Sequence, residues 1–237
     1  MADKRTFFET DEIKDCIEKT LYSNSGIISN AITLAGPNCS RHVKNLRRSI
    51  CSKKECKITI VDSDKDIYHL QKQWLESNEA KKYIGISSCG KKVKVRLGKN
   101  VEVVHNAITE IPPERFIDAD LMGTLKTQHH VITMLIDQQI EAIGHSKLKK
   151  GLIFTFSSRG TKTENVYNYI ESLLKTRFKT SITFPNKILL SERKNYYKQR
   201  WLKHNCVYYG GRVTHLELHS YTACSKHPMI TGLIVYK

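Results

Sequence analysis

The sequence predicts an α/β fold: a doubly wound, mostly parallel seven-stranded sheet with helices on both faces and a C-terminal antiparallel hairpin. Apolar runs of strand length alternate with amphipathic runs of helical length through most of the 237 residues, which is the pattern of successive βαβ units. The last two apolar runs differ, because only a turn around Pro228 separates them, and this favours an antiparallel pair. No internal repeat or low-complexity linker interrupts the chain, so we expect one domain over residues 1–237.

The predicted helices are the segments in which apolar residues recur every three or four positions. The first begins near Thr10 and belongs to an N-terminal helical extension over residues 1–26. The others are expected over residues 39–50, 65–83, 127–143 and 164–174. In the helix over 39–50 the basic residues lie on the polar side and are expected to face solvent: Arg41, Lys44, Arg47 and Arg48.

The predicted strands are short apolar runs bounded by polar or turn-forming residues. Those of the sheet are expected over residues 31–35, 57–62, 101–105, 116–121, 151–156 and 180–184. The tail offers one or two more, over residues 214–221 and 232–236. Residues 91–97 alternate valine with basic residues and are a candidate for an extra strand.

The chain carries a large excess of positive charge, with 39 Lys and Arg against 23 Asp and Glu and a net charge of +16. Such an excess indicates a polyanionic partner, and nucleic acid is the first candidate. A membrane surface fits less well, because no basic amphipathic helix stands apart from the fold. The seven cysteines form no regular framework and no apolar run is long enough to cross a bilayer; both features predict an intracellular, cytoplasmic protein. Cys51 and Cys56 lack a second pair at zinc spacing, so no metal site is predicted.

The stretch from Ala31 to Asp64 contains the outline of a nucleotide-type cofactor site. An apolar strand leads into a Gly-Pro-Asn turn at residues 36–38, a helix follows, and a second strand ends at Asp62. In an open α/β sheet such a turn brings backbone close to the ligand, and an acid at the end of the next strand can accept hydrogen bonds from a ribose diol. Asp64 is the nearby competitor for that role.

These motifs resemble those of the class I S-adenosylmethionine-dependent methyltransferases. Residues 32–40, ITLAGPNCS, resemble the family's first motif, a strand followed by G-x-G-x-G; Gly36 is the first glycine, and Asn38 and Ser40 replace the other two. Asp62 lies where the family places its ribose-binding acid. The resemblance implies S-adenosylmethionine as cofactor, with its adenine contacted by Asn106 and Ala107 of a V-H-N-A stretch.

The family's fourth motif is matched by residues 117–123, which are similar to the D-P-F-G pattern of tRNA guanine-N2 methyltransferases. The resemblance implies that Asp120 orients the amine or hydroxyl that receives the methyl group. Alternatively, Asp118 or Asp120 caps the helix that follows. A Lys-Asp-Lys-Glu set for ribose methylation is another possibility: Asp120, Lys162 and Glu217 supply three members, but no early lysine is in place. The stretch 151–159 also resembles methyltransferase-like proteins of viruses, which would place the protein in a host cytoplasm.

The C-terminal part, residues 186–237, combines a basic and aromatic segment with the terminal hairpin. Basic residues attract phosphates and aromatic rings stack on unpaired bases, so this segment is the predicted site for RNA or single-stranded DNA. Its candidate contacts are Arg193, Lys194, Tyr196, Lys198, Arg200 and Trp201. The alternative is an amphipathic helix with Tyr197 and Trp201 in the core. A second basic segment, residues 81–99, contains no acid.

The sequence therefore predicts an S-adenosylmethionine-dependent methyltransferase that acts on nucleic acid, with RNA favoured. Retention of Asp62, Asn106 and Asp120 together favours an enzyme. The loss of two motif glycines favours the alternative, a catalytically inactive methyltransferase-like protein that binds nucleic acid or has a structural role. The sequence does not indicate an oligomeric state.

Overall fold

A nine-stranded sheet forms the centre of the molecule in the computed structural model, and a separate two-stranded sheet lies beside it. The structure describes residues 12–51, 55–88, 91–143, 148–159, 163–178, 191–194, 201–210, 212–223 and 227–237. The strands in these ranges are β1 Ala31–Thr33, β2 Ile58–Asp62, β3 Tyr83–Ser88, β4 Lys91–Arg96, β5 Val101–His105, β6 Phe116–Thr124, β7 Lys150–Ser157, β8 Ser191–Lys194, β9 Trp201–Gly210, β10 Val213–Thr222 and β11 Pro228–Tyr236.

The order of strands in the large sheet is β5-β2-β1-β6-β7-β11-β10-β9-β8. The first five are parallel to one another. The last strand of the chain, β11, then lies antiparallel between β7 and β10, and β9 and β8 continue antiparallel to the edge. The α/β fold with its parallel central strands and C-terminal antiparallel pair is therefore confirmed, although the sheet has nine strands where seven were predicted.

Helices cover both faces of the sheet: α1 Glu12–Ser25, α2 Cys39–Ser49, α3 Lys65–Glu76, α4 Asn78–Lys81, α5 Leu125–Ile143 and α6 Thr163–Phe178. Side chains alternate between the two faces along a strand, which divides the core in two. Phe116 on β6 packs with the residues of α1 and α2, whereas the next residue, Ile117, packs with those of α5 and α6. Asp118 and Asp120 share the face of Phe116 and therefore point toward α1 and α2.

Three sequence predictions are wrong in detail. The helix expected to reach residue 83 ends at Glu76. Residues 91–96 do form the extra strand for which they were a candidate, paired with 83–88 as a hairpin outside the large sheet. Arg47 is fully buried where an exposed residue was expected, because its Nη1 donates to the carbonyl oxygen of Cys56 at 2.9 Å. The parts of residues 187–203 that the structure describes are strands, so a continuous helix there is wrong. The strand predicted over residues 180–184 lies outside the described residues.

Candidate active site

The carboxyl ends of β1, β2, β5 and β6 meet at one edge of the sheet, because these four strands are parallel neighbours. That edge is where ligands bind in open α/β sheets. It carries the Gly36 turn after β1, Asp62 at the end of β2, Asn106 after β5 and Asp120 on β6. The four segments in which the sequence predicted a cofactor and its target are therefore on the same side of the molecule.

The turn after β1 is built on Gly36, whose φ is +57°. This left-handed backbone conformation strains any residue with a Cβ. No atom lies within 4 Å of the position where a Cβ of Gly36 would be, so the glycine borders open space. Its carbonyl oxygen accepts a hydrogen bond from Nε2 of the buried Gln71 on α3 at 3.0 Å. Asn38 has a φ of −97°, so it does not need the left-handed conformation that asparagine tolerates.

Asp62 and Asn106 both make hydrogen bonds to the backbone of their own loops. Oδ1 of Asp62 accepts from the amide of Asp64 at 2.9 Å, and Oδ1 of Asn106 accepts from the amide of Ala107, also at 2.9 Å. Asp64 caps α3 by accepting from the amides of Asp66 and Ile67, so Asp62 remains the better candidate for a ligand. Burial and the neighbouring Asp64 raise the pKa of Asp62 above its usual value.

Asp120 forms an ion pair with Lys14, which comes from α1 more than a hundred residues earlier in the chain. A quarter of the Asp120 side chain is exposed at this edge. Burial raises the pKa of Asp120, but the adjacent ammonium group outweighs burial and lowers it below its usual value. The carboxylates of Asp120 and Glu18 likewise raise the pKa of Lys14, against the effect of burial. Both groups are therefore charged at neutral pH, and Asp120 can orient a donor but is a weak base.

A buried network of polar groups continues from this ion pair between α1, α2 and β6. The Tyr22 hydroxyl donates to Asp118, and Nδ1 of His42 lies 3.6 Å from the same carboxylate. Arg41 approaches Glu18, with 3.6 Å between its Nη2 and Oε2 of the carboxylate. Burial raises the pKa of Glu18. Asp118 is thus a structural acid that holds α1 and α2 on the sheet, and Asp120 does not cap the following helix but pairs with Lys14.

Lys14 is a lysine early in the chain that lies beside Asp120, and the sequence did not reveal this pairing. Glu217 lies on β10, on the sheet face that α1 covers, where Nδ2 of Asn24 donates to it at 2.7 Å. His215 and His219 flank the Glu217 carboxylate on the same strand at 2.9 and 2.7 Å. Lys162 lies outside the described residues. No signal in the sequence links α1 to β6 or β10, because both contacts are long-range.

The segment predicted to bind nucleic acid is described only in part. Arg193 and Lys194 are on β8, where they pair with Leu202 and Trp201 of β9 at the outer edge of the sheet. The other three predicted contacts, Tyr196, Lys198 and Arg200, lie outside the described residues. The role of this segment therefore stays a prediction.

In the part of the chain that the structure describes, no group of His, Cys, Asp or Glu side chains could hold a metal ion. None of the helices in that part is long and apolar enough to cross a membrane. A groove of about 430 Å³ is lined by residues 109–113 together with Gln138, Glu141 and Ala142. It lies before β6 begins, at the opposite end of that strand from Asp120, so it is not part of the candidate site.

Comparison with known proteins finds similar structures and no similar sequence. No protein-family model matches the chain, and no curated protein matches it significantly. YhhF of Escherichia coli, assigned as a methyltransferase, has a TM-score of 0.46 at 9% identity, over 97% of this chain and 88% of its own. An rRNA methylase of Streptococcus thermophilus has a TM-score of 0.45 at 11% identity, over 97% and 99%.

The N-methyltransferase NodS of Bradyrhizobium japonicum, solved with S-adenosyl-L-homocysteine, has a TM-score of 0.44 at 11% identity, over 98% of this chain and 95% of its own. Similarity at this level carries no information on cofactor, substrate or mechanism. The three proteins are bacterial, so they give no support to a viral origin. The functional assignment depends on the geometry of the chain's own residues.

Proposed function

We propose that the protein is an S-adenosylmethionine-dependent methyltransferase that acts on nucleic acid, with RNA the favoured substrate. The observation that carries the proposal is the placement of the Gly36 turn, Asp62, Asn106 and Asp120 at one edge of four neighbouring parallel strands, where β1, β2 and β5 end and the regular pairing of β6 with β7 ends at Asp120. The first three line the part of the edge where a nucleoside would bind, and Asp120 lies on the next strand, β6.

In this proposal the protein supplies orientation and electrostatics, and the cofactor supplies the methyl electrophile. The open side of Gly36 lets backbone approach the methionine portion of the cofactor. The Asp62 carboxylate accepts hydrogen bonds from the ribose hydroxyls, and Asn106 with Ala107 faces the adenine. Ala107 must exchange its hydrogen bond to Asn106 for one to the ligand.

Asp120 acts on the target group as an ionised acceptor. Because Lys14 lowers its pKa, it holds the proton-bearing side of an amine or hydroxyl toward itself and so directs the lone pair at the methyl group. The proton that methylation releases passes to solvent, which reaches the partly exposed Asp120 side chain. Lys14 stays protonated beside it.

The second candidate function is a methyltransferase-like protein that has lost the cofactor. It is favoured by the internal hydrogen bonds of the site, since Asp62, Asn106 and the carbonyl of Gly36 all bind groups of the protein itself. Such a protein would bind nucleic acid through its basic surface without transferring a methyl group.

Calorimetric titration with S-adenosylmethionine separates the two. The enzyme proposal expects binding by the wild type, at least tenfold weaker binding by Asp62→Ala, and unchanged binding by the control Glu76→Ala, which removes an exposed acid at the end of α3. No heat and no thermal shift at millimolar cofactor would rule out the enzyme and leave the second candidate.

A further inference from the structure

The hairpin of β3 and β4, residues 83–96, is a two-stranded sheet separate from the main one; we call it the basic ribbon. One face of the ribbon packs on the protein, with Ile86 and Val95 only 3% and 2% exposed. The opposite face is formed by the alternate residues, which pair across the strands as Tyr83 with Arg96, Gly85 with Lys94 and Ser87 with Lys92. All six are exposed.

No acidic residue of the ribbon balances the positive charge on this outer face. Lys92, Lys94 and Arg96 are opposite a serine, a glycine and a tyrosine, although acids in those positions would stabilise the pairs. Within the part of the chain that the structure describes, none of the three basic side chains makes an ion pair. Residues 81–99 also contain no acid. The face is therefore suited to a polyanion.

The spacing of the cations suits an extended chain of phosphates. Alternate residues of a strand are about 7 Å apart along it, so Lys92, Lys94 and Arg96 present a row of evenly separated charges. Such a row can follow the backbone of a single nucleic-acid strand, and it offers no apolar face that would enter a lipid surface.

Tyr83 adds an aromatic contact at the end of this row. It is 68% exposed, the highest value among the large apolar residues on the described surface. It lies directly across from Arg96. An exposed ring beside a phosphate-binding cation can stack on an unpaired base, whereas the bases of an intact duplex are already stacked on one another.

The ribbon is held firmly at its base. The amide of Leu97 donates to the carbonyl of Lys82 at 2.9 Å, and that of Gly98 to the carbonyl of Ala80 at 2.8 Å. A Cβ on Gly98 would lie 3.1 Å from the Cβ of Ala80, so the chain passes close to α4 there. Helix α4, which precedes the ribbon, contacts the region of the candidate site, since Ser40 donates to Glu79.

We propose that the basic ribbon binds a single strand of nucleic acid, with phosphates along Lys92, Lys94 and Arg96 and an unpaired base on Tyr83. The inference rests on the proposed function in its choice of nucleic acid as substrate, and it assigns the docking of that substrate to residues 83–96. Binding by the ribbon requires no cofactor.

The test measures binding of a fluorescent, unstructured 12-nucleotide RNA to the full chain without cofactor, over a range of salt concentrations. Lys92→Gln/Lys94→Gln/Arg96→Gln is expected to bind about 10- to 100-fold more weakly. Its slope of log K against log salt should be smaller by about 2, because each phosphate contact on a single strand contributes about 0.7. The control Lys65→Gln/Lys126→Gln/Lys175→Gln removes the same charge from exposed helical positions and should keep the wild-type slope.

Tyr83→Ala provides an independent arm. It should weaken binding of the single strand about tenfold and leave binding of a duplex of the same length unchanged. The proposal is overturned if the ribbon variant and the control lose affinity equally, which would mean that the lysines only keep the strand edges from pairing. Ribbon-dependent binding to phosphatidylserine vesicles that matches the RNA affinity would overturn it too. Loss of RNA binding with intact S-adenosylmethionine binding separates this result from failure of the enzyme proposal.

Discussion

The two carboxylates of the candidate site, Asp62 and Asp120, lie at the same edge of the sheet, but their pKa values are shifted in opposite directions. Asp62 contacts the amide of Asp64 two residues away, and burial raises its pKa. Asp120 forms an ion pair with Lys14 from a distant helix, and this cation lowers the pKa of Asp120. A carboxylate without a cation is available to a neutral ligand such as a ribose diol, whereas one fixed by a cation is suited to orienting a target. The difference fits a binding role for Asp62 and an orienting role for Asp120.

The largest effect is expected from removing the cation at Asp120. Lys14→Met leaves a mostly buried carboxylate uncompensated, which should lower the free energy of unfolding by about 2–3 kcal/mol in urea titrations. The control Lys19→Met removes an exposed lysine of the same helix that pairs with Asp15, and such pairs contribute less than about 1 kcal/mol. Equal losses in the two variants would show that the ion pair at Asp120 is no stronger than a surface pair.

The pH dependence of Glu217 sharpens the comparison on β10, which β7 and β11 separate from β6. Burial raises the pKa of Glu217, but hydrogen bonds from His215, His219 and Asn24 outweigh burial and hold it well below the usual value. Its contribution to stability is therefore fully present above pH 4.5 and is lost as the pH falls through the lower folded-state pKa. Glu217→Gln should cost about 2 kcal/mol at pH 7. The difference from the wild type should shrink toward pH 3 in thermal unfolding; a constant difference contradicts the ionised state.

The Gly36 turn is tested by a smaller effect. Gly36→Ala should cost about 1 kcal/mol from backbone strain alone, because φ is +57° and no atom would clash with the Cβ. Gly85→Ala is the matched control, since that glycine also faces open space and has an ordinary strand conformation. Urea unfolding of both variants gives the comparison, and equal stabilities would mean that the turn relaxes without its glycine.

The smallest expected change in stability comes from Asp62→Asn. A raised pKa in the folded state means that the charged form is less favourable there than in the unfolded chain. Removing the charge at pH 7 should therefore leave the protein as stable as the wild type or more stable by up to about 0.5 kcal/mol. Asp120→Asn should do the opposite and destabilise it, because Lys14 then loses the nearer of its two carboxylate partners. If the melting temperatures of both variants shift in the same direction from that of the wild type, the opposite pKa shifts of Asp62 and Asp120 are contradicted.

The parts of the molecule that follow local rules could be predicted from sequence. The periodicity of apolar residues identified most of the parallel strands, and the turn chemistry identified Gly36 and Asp62, since a strand end and its loop are adjacent in the chain. The alternation of valine with basic residues identified β4 as a candidate strand, but its partner β3 was missed. The length of α3 was overestimated because the short helix α4 follows it after one residue.

Contacts between distant segments could not be predicted in this way. Lys14 and Asp120 are joined only because α1 packs across β6, and Asn24 reaches Glu217 over 193 residues of sequence. Arg47 has the sequence pattern of a solvated residue, but it is buried and donates a hydrogen bond to the carbonyl oxygen of Cys56, nine residues later in the chain. In each case the partner is set by tertiary packing, on which the pattern of a single segment carries no information.

Transfer of a tritiated methyl group from S-adenosylmethionine to unstructured RNA tests the central claim most directly, when wild type and Asp120→Asn are compared under conditions where both are folded. We predict transfer by the wild type and at least a hundredfold slower transfer by Asp120→Asn, with cofactor affinity within about threefold of the wild type. Equal rates in the two proteins, or cofactor binding without any transfer to RNA, would contradict the assignment of Asp120 as the residue that orients the target.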